Sequence, residues 1–232
     1  MSDTPGKIDV YIEAGSKRTF AGALEWPGWC RSARNEEAAL QRLFTYGPRY
    51  QRALEGSGLT FEPPQDFFAF SIVERLEGNA TTDFGAPAIA PSADSRPIEE
   101  PELKRFESIL NACWDCLDAA AKLAAGKDLA KGPRGGGRDL HQIVEHVLEA
   151  EMAYISRLGW EAGQAGFSEP KDPSQMREII LQTLRAAAGS KFPKQGPRGG
   201  SRWTPRYFVR RVAWHALDHA WEIEDRVIAS TA

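Results

Sequence analysis

Four histidines are the residues of this 232-residue chain best suited to chemistry. His215 and His219 stand four apart near the C-terminus, within "TPRYFVRRVAWHALDHAWEIEDRVI". On a helix that spacing puts both imidazoles on one face, one turn apart. Two imidazoles so placed can grip one metal ion and form the first half of a site. The helix is well marked: Thr204 is a good N-cap, Pro205 suits the first helical position, and no later Pro or Gly interrupts the stretch. A third imidazole must come from His141 or His146, which share one earlier helix.

That earlier helix reads "DLHQIVEHVLEAEMAYISRL" and opens after a capping Asp139. Its apolar stripe is Leu140, Ile143, Val144, Val147, Tyr154, Ile155 and Leu158. At about 100° per residue, His141 and His146 fall on opposite edges of that stripe, and periodicity does not choose between them. Glu151 falls near the middle of the stripe. A buried carboxylate needs a partner, either a ligand histidine that it orients or an Arg of the last helix. On the last helix, His215 and His219 lie between apolar positions (Phe208, Val212, Ile223) and a charged strip (Arg211, Asp218, Glu222, Asp225). A border position suits a ligand facing a partly wet cleft. The plain alternative is that the histidines are satisfied polar groups of a core.

Charge and composition narrow the function classes. With 29 Lys and Arg against 32 Asp and Glu, the net charge is −3, so nucleic-acid binding by bulk electrostatics is not expected. No stretch approaches the ~20 apolar residues of a membrane span, and no charged-then-apolar leader opens the chain. The expectation is a cytoplasmic protein. Cys30, Cys113 and Cys116 make no disulfide framework. The "CWDC" at Cys113–Cys116 sits inside a helical pattern rather than at a helix start, which favours a buried structural pair over a redox or zinc site.

The elements that must carry these residues divide in two. Ile8–Ala14 alternates as a strand, Gly15-Ser16 marks a turn, and Thr19–Trp26 reads as a second strand ended by Pro27-Gly28. Asn35 caps a helix whose first turn holds Glu36 and Glu37, with Ala38, Leu40, Leu43 and Phe44 as its apolar face. Gly47-Pro48 breaks that helix, and Phe68, Phe70 and Ile72 alternate in a further strand ending near Gly78. Residues 1–77 thus form a small β-β-α-β module. Trp26 and Trp29 suit either its core or an interface. Residues 78–99, rich in Gly, Pro, Ala and Ser, read as an inter-domain linker. Residues 100–232 carry four amphipathic helices, beginning near Pro101, Asp139, Pro173 (with Ser174 or Asp172 near its cap) and Thr204, and imply an all-α four-helix bundle. The fold class is α+β with two domains. "GPRGG" occurs at 132–136 and again at 196–200, each copy before a histidine-bearing helix. Glycine amides, an Arg and a helix start can hold an anion, although helix punctuation explains the motif as well. The stretch from Gly159 to Asp172 can extend roughly 40 Å and so span a helix of roughly 33 Å, which would put the two loops at opposite ends.

Two family resemblances follow from these residues. "ALEWPGWCRSARNEEAALQRL", with its strand, Pro-Gly turn, short strand and "EEA" helix start, resembles the HicB-like fold. That resemblance implies an antitoxin-like module that binds a partner; the plain alternative is a small packing or dimerisation module. "GRDLHQIVEHVLEAEMAYISRLG" followed by "RYFVRRVAWHALDHAWEIEDR" resembles the DinB/YfiT-like metalloenzyme superfamily, over about the last 130 residues. It implies a four-helix bundle in up-down-down-up order, with a His in the second helix and HxxxH in the fourth. By position the implied metal ligands are His146, His215 and His219, while His141 becomes an exposed helix-start residue. Three imidazoles with open positions suit zinc, nickel or iron(II). Relatives include thiol-dependent S-transferases and isomerases, so the implied activity is metal-dependent transfer to a small-molecule substrate with a low-molecular-weight thiol as co-substrate. Glu149, one turn from His146, and Glu222, three residues after His219, are the candidate catalytic or ligand-orienting carboxylates. The alternative is a non-catalytic interaction protein with a HicB-like binding module and a structural or vestigial metal site. Homodimerisation is motivated by the spare aromatics Trp114, Trp214 and Trp221.

Overall fold

A computed structural model describes residues 7–131, 137–158, 172–189 and 202–228. The chain divides into two compact units, Met1–Arg96 and Pro97–Ala232.

The first unit is built on a four-stranded sheet. Strands β1 (Ile8–Ala14) and β2 (Thr19–Ala23) form the expected antiparallel hairpin, with Val10 opposite Ala23 and Ala14 opposite Thr19. Strand β2 ends three residues earlier than the sequence suggests. The chain turns over Trp26–Trp29, where Gly28 takes φ +95°, a conformation natural to glycine. It then returns as a short strand β3 (Cys30–Ala33), antiparallel to β2. Helix α1 (Glu36–Thr45) starts where expected, because the Asn35 side chain accepts from the Ala38 amide at 2.9 Å. Its core face is Ala39, Leu40 and Leu43 rather than Ala38. Helix α2 (Gly47–Ala53) follows the break at Gly47-Pro48. Strand β4 (Phe70–Glu77) closes the sheet in parallel with β1, giving the order β3-β2-β1-β4. The β-β-α-β order is therefore corrected to three strands, two helices and a fourth strand. Four residues are too few for alternation to reveal β3.

Trp29 is a core residue. It is fully buried, stacks on Tyr50 at 6.0 Å, and donates its indole N–H to the Leu43 carbonyl at 2.9 Å. Trp26 is half-buried and packs edge-on against Phe61 at 4.9 Å.

The segment expected to be a linker is folded. Asn79 caps helix α3 (Ala80–Phe84) in a reciprocal capping box with Thr82. Glu13 of β1, fully buried, accepts from the Thr82 hydroxyl at 2.5 Å and from the Ala88 and Ile89 amides at 2.8 and 3.1 Å. Glu74 of β4 accepts from the Ser92 amide at 2.9 Å and from its hydroxyl at 3.0 Å. A Gly- and Pro-rich composition resembles a linker. What orders this one is hydrogen bonding to strand carboxylates, the buried Glu13 from far away in sequence and the half-buried Glu74 from nearby.

The second unit contains helices α4 (Glu100–Ala124), α5 (Leu140–Leu158), α6 (Pro173–Ala188) and α7 (Pro205–Arg226). Each packs against the other three. The expected caps are in place: Asp139 accepts from Gln142, Asp172 from Gln175 and Thr204 from Tyr207. Helix α7 is buried on nearly every side. Trp114, Trp214 and Trp221 are core residues and not spare surface aromatics. Cys113 is buried in the middle of α4, where burial pushes its thiol pKa up. That placement fits a structural residue. Both GPRGG stretches and residues 159–171 lie outside the described residues. Among the described residues no helix is long and apolar enough to cross a membrane.

Candidate metal centre

Helices α5 and α7 bring three histidines together. His146, His215 and His219 each offer a ring nitrogen, and these atoms lie within 4.8 Å of one another. The ring centres are 5.2 Å apart for His146–His215, 5.1 Å for His146–His219 and 4.6 Å for His215–His219. The choice that periodicity left open is settled by geometry. His146 turns toward α7, while His141 is exposed at the start of α5.

His219 is oriented by a carboxylate. Its Nδ1 lies 2.8 Å from Glu222 Oε2, which assigns the proton to Nδ1 and leaves the Nε2 lone pair for the centre. Glu222 is itself fixed, because Arg226 Nη1 donates to its other oxygen at 2.8 Å. Hydrogen bonding from His219, then from Arg226, holds the Glu222 carboxyl down to about 2 against the opposing effect of burial. The same guanidinium donates to the Ala130 backbone carbonyl at 2.7 Å and to the Arg138 carbonyl at 2.8 Å. Arg226 thereby ties the end of α7 to the chain leading into α5, the two helices that carry the ligands.

His215 Nε2 faces His219 Nε2 at 3.2 Å. Burial holds His215 well below the ordinary histidine range, helped by His219, His146, Arg211 and Arg138, so the ring is neutral at physiological pH. Its Nδ1 is buried and has no hydrogen-bond partner among the described residues. Suppose Nδ1 carries the proton. Two lone pairs then face each other across 3.2 Å, and they need a cation between them. If Nε2 carries it instead, it donates to His219 Nε2; Nδ1 is left without a partner in either tautomer, which costs stability. Two nitrogens bound tetrahedrally at roughly 2.0–2.1 Å from one ion sit about 3.3 Å apart, close to the spacing found here. Three imidazoles with this geometry fit a divalent transition metal.

The histidines are not at the border that the helical pattern suggests. His215 and His219 are 5% and 4% exposed, and Arg211 of the supposed charged strip is 6% exposed. Helix α7 is enclosed on both flanks, which one helix's periodicity cannot reveal. Beside them, His146, Tyr154 and Trp203 are half-buried. Tyr154 stands 5.8 Å from the His215 ring and packs on Trp203 at 5.0 Å. Arg211 donates to the Tyr154 hydroxyl at 3.1 Å and lies over the Tyr154, Trp203 and Trp214 rings. Sequence reasoning did not place this aromatic and guanidinium wall. Trp203 precedes its helix, and no spacing ties it to Tyr154.

Two other carboxylates are resolved by the fold. Glu149 is exposed on α5, and no hydrogen bond joins it to the histidines. Glu151 neither orients a histidine nor pairs with an Arg of α7. It is buried and accepts from the Trp114 indole N–H of α4 at 2.7 Å. Arg177 of α6 lies over the same indole at 5.6 Å and forms a bidentate pair with Asp118. Comparison with family models, with characterised proteins and with solved structures found no match to this chain.

Proposed function

We propose that the chain is a metal-dependent enzyme whose C-terminal unit is a four-helix bundle of the DinB/YfiT-like type in up-down-down-up order. On this reading His146, His215 and His219 hold one zinc, nickel or iron(II) ion. The observation that carries the proposal is the convergence of three imidazoles with their donor atoms within 4.8 Å.

The ligand group includes neither Glu222 nor Asp218. Glu222 is engaged at the far nitrogen of His219 and by Arg226, so it acts as a positioning residue. Three protein ligands without a carboxylate leave coordination positions open, the pattern of catalytic rather than structural sites. Such an ion supplies Lewis acidity that lowers the pKa of a thiol toward neutrality. The chain's own residues do the rest. Glu222 and Arg226 hold His219 in one tautomer, the buried walls exclude water from His215 and His219, and Tyr154, packed on Trp203, stands beside the His215 ring. A small molecule and a low-molecular-weight thiol are the proposed substrates. The interaction-protein alternative has no observation in its favour at this site.

The test is metal analysis of protein purified without a histidine tag. About one divalent ion per chain is expected, with loss in His215→Ala and retention in His141→Ala. Failure to retain any divalent metal, together with wild-type stability in His215→Ala, would overturn the proposal. Cobalt substitution then separates open from closed coordination. Small thiols should change the visible spectrum of the cobalt form, and a spectrum indifferent to thiols would exclude the thiol-transfer reading.

A further inference from the structure

Tyr154 puts a polar tip on the apolar stripe of α5, about 12 Å along the helix from His146. Its ring stands 5.8 Å from the His215 ring. Arg211, one turn before His215 on α7, donates to the Tyr154 hydroxyl oxygen at 3.1 Å and lies over the ring at 5.3 Å. That bond uses a lone pair of the phenol and leaves its O–H proton to give. Among the described residues no acceptor takes that proton. Trp203 holds the ring in place, its indole packed on it at 5.0 Å. Trp203 is itself pinned: its backbone N–H donates to the Arg157 carbonyl near the end of α5 at 3.0 Å, and its indole meets Tyr207 edge-on at 5.0 Å. The donor is therefore fixed in place before any ligand arrives. Tyr154 is half-buried, whereas His215 and His219 are buried.

We propose that Tyr154 is a substrate-binding residue, whose hydroxyl donates to a carboxylate oxygen of a ligand held at its other end by the three histidines. The inference rests on the reading of those histidines as a metal centre. A guanidinium at the phenol oxygen draws electron density from it and makes the O–H a stronger donor, suited to an anionic acceptor. An apolar group in that place would cover the O–H without satisfying it, which costs binding. The offset between His146 and Tyr154 along α5 separates the two ends of the ligand by several bonds. This points to a bifunctional molecule, a thiol that also carries a carboxylate, rather than a small anion that occupies the centre alone.

The test is titration of the cobalt-substituted full chain, followed by its visible spectrum. The probes are mercaptoacetate, 3-mercaptopropionate and 4-mercaptobutyrate, each set against the alkanethiol of the same chain length. At least one acid should bind about tenfold more tightly than its alkanethiol, the effect of one hydrogen bond to a charged group. Tyr154→Phe keeps the ring and removes the donor. It should abolish most of that preference and leave alkanethiol binding and cobalt retention unchanged. Equal affinity of acid and alkanethiol at every length in the wild type would overturn the inference. A preference that survives in Tyr154→Phe would also overturn it, by assigning the preference to chelation or to bulk charge. Acid and alkanethiol weakened in the same proportion in Tyr154→Phe would do so too, because that marks a structural role. These three results leave the metal centre standing. A chain that retains no cobalt, or a cobalt spectrum indifferent to every thiol, would instead overturn the metal or thiol reading and this inference with it.

Discussion

Replacing Glu151 by Gln should stabilise the protein, and by an amount that depends on pH. The carboxyl is 3% exposed, and burial raises its pKa from 4.5 to about 7. The Trp114 hydrogen bond and the charge of Arg177 work in the opposite direction, while Asp118 adds to the rise. Below pH 4.5 the group is protonated in the folded and unfolded states alike, so it contributes no pH-dependent term. Between 4.5 and about 7 the unfolded state ionises while the folded state does not, and stability falls as pH rises. Above that window the loss is constant, at about 3 kcal/mol. Glutamine keeps an acceptor for the Trp114 N–H, at 2.7 Å in the wild type, and removes the ionisation. Any cost of its amide N–H groups is the same at all pH values. The stability difference between variant and wild type should therefore move in favour of Gln by about 3 kcal/mol between pH 4.5 and pH 8. Urea denaturation followed by far-ultraviolet circular dichroism at the two pH values measures it. A difference that is the same at both, or that favours Glu at pH 8, would show that the carboxylate is held ionised and that desolvation does not dominate.

Three further outcomes follow from the same bonds. Glu222→Gln should weaken retention of a divalent metal by about 10–100-fold with the fold intact, as read by competition with a chelator, because His219 loses its anionic partner. Arg226→Ala removes the donors to Ala130, Arg138 and Glu222 together and should cost about 3 kcal/mol in denaturant unfolding. Glu13→Ala leaves the Thr82 hydroxyl and the Ala88 and Ile89 amides without their acceptor. It should cost about 2–4 kcal/mol and speed hydrogen exchange at those two amides, while amides of α4 and α7 keep wild-type rates.

What the sequence by itself determined was local. Asn35, Asp139, Asp172 and Thr204 were readable as helix starts because a cap is a contact between residues three apart. The chelating pair His215 and His219 was readable for the same reason, since helical spacing alone sets it. The family resemblance implies His146 rather than His141 as a ligand, and it is the His146 ring that lies beside His215 and His219. Tertiary structure decided everything that depends on two distant segments. Strand β3 exists because β2 offers it a partner, and the supposed linker is ordered because Glu13 and Glu74 reach it from strands. Glu151 found Trp114 on a different helix from the one expected. The burial of His215 and His219 arises from helices packed on both flanks of α7, whereas the pattern of one helix records only its own polarity. Periodicity can therefore place a histidine on a face, but only packing sets its dielectric surroundings, its protonation and its distance from the next imidazole.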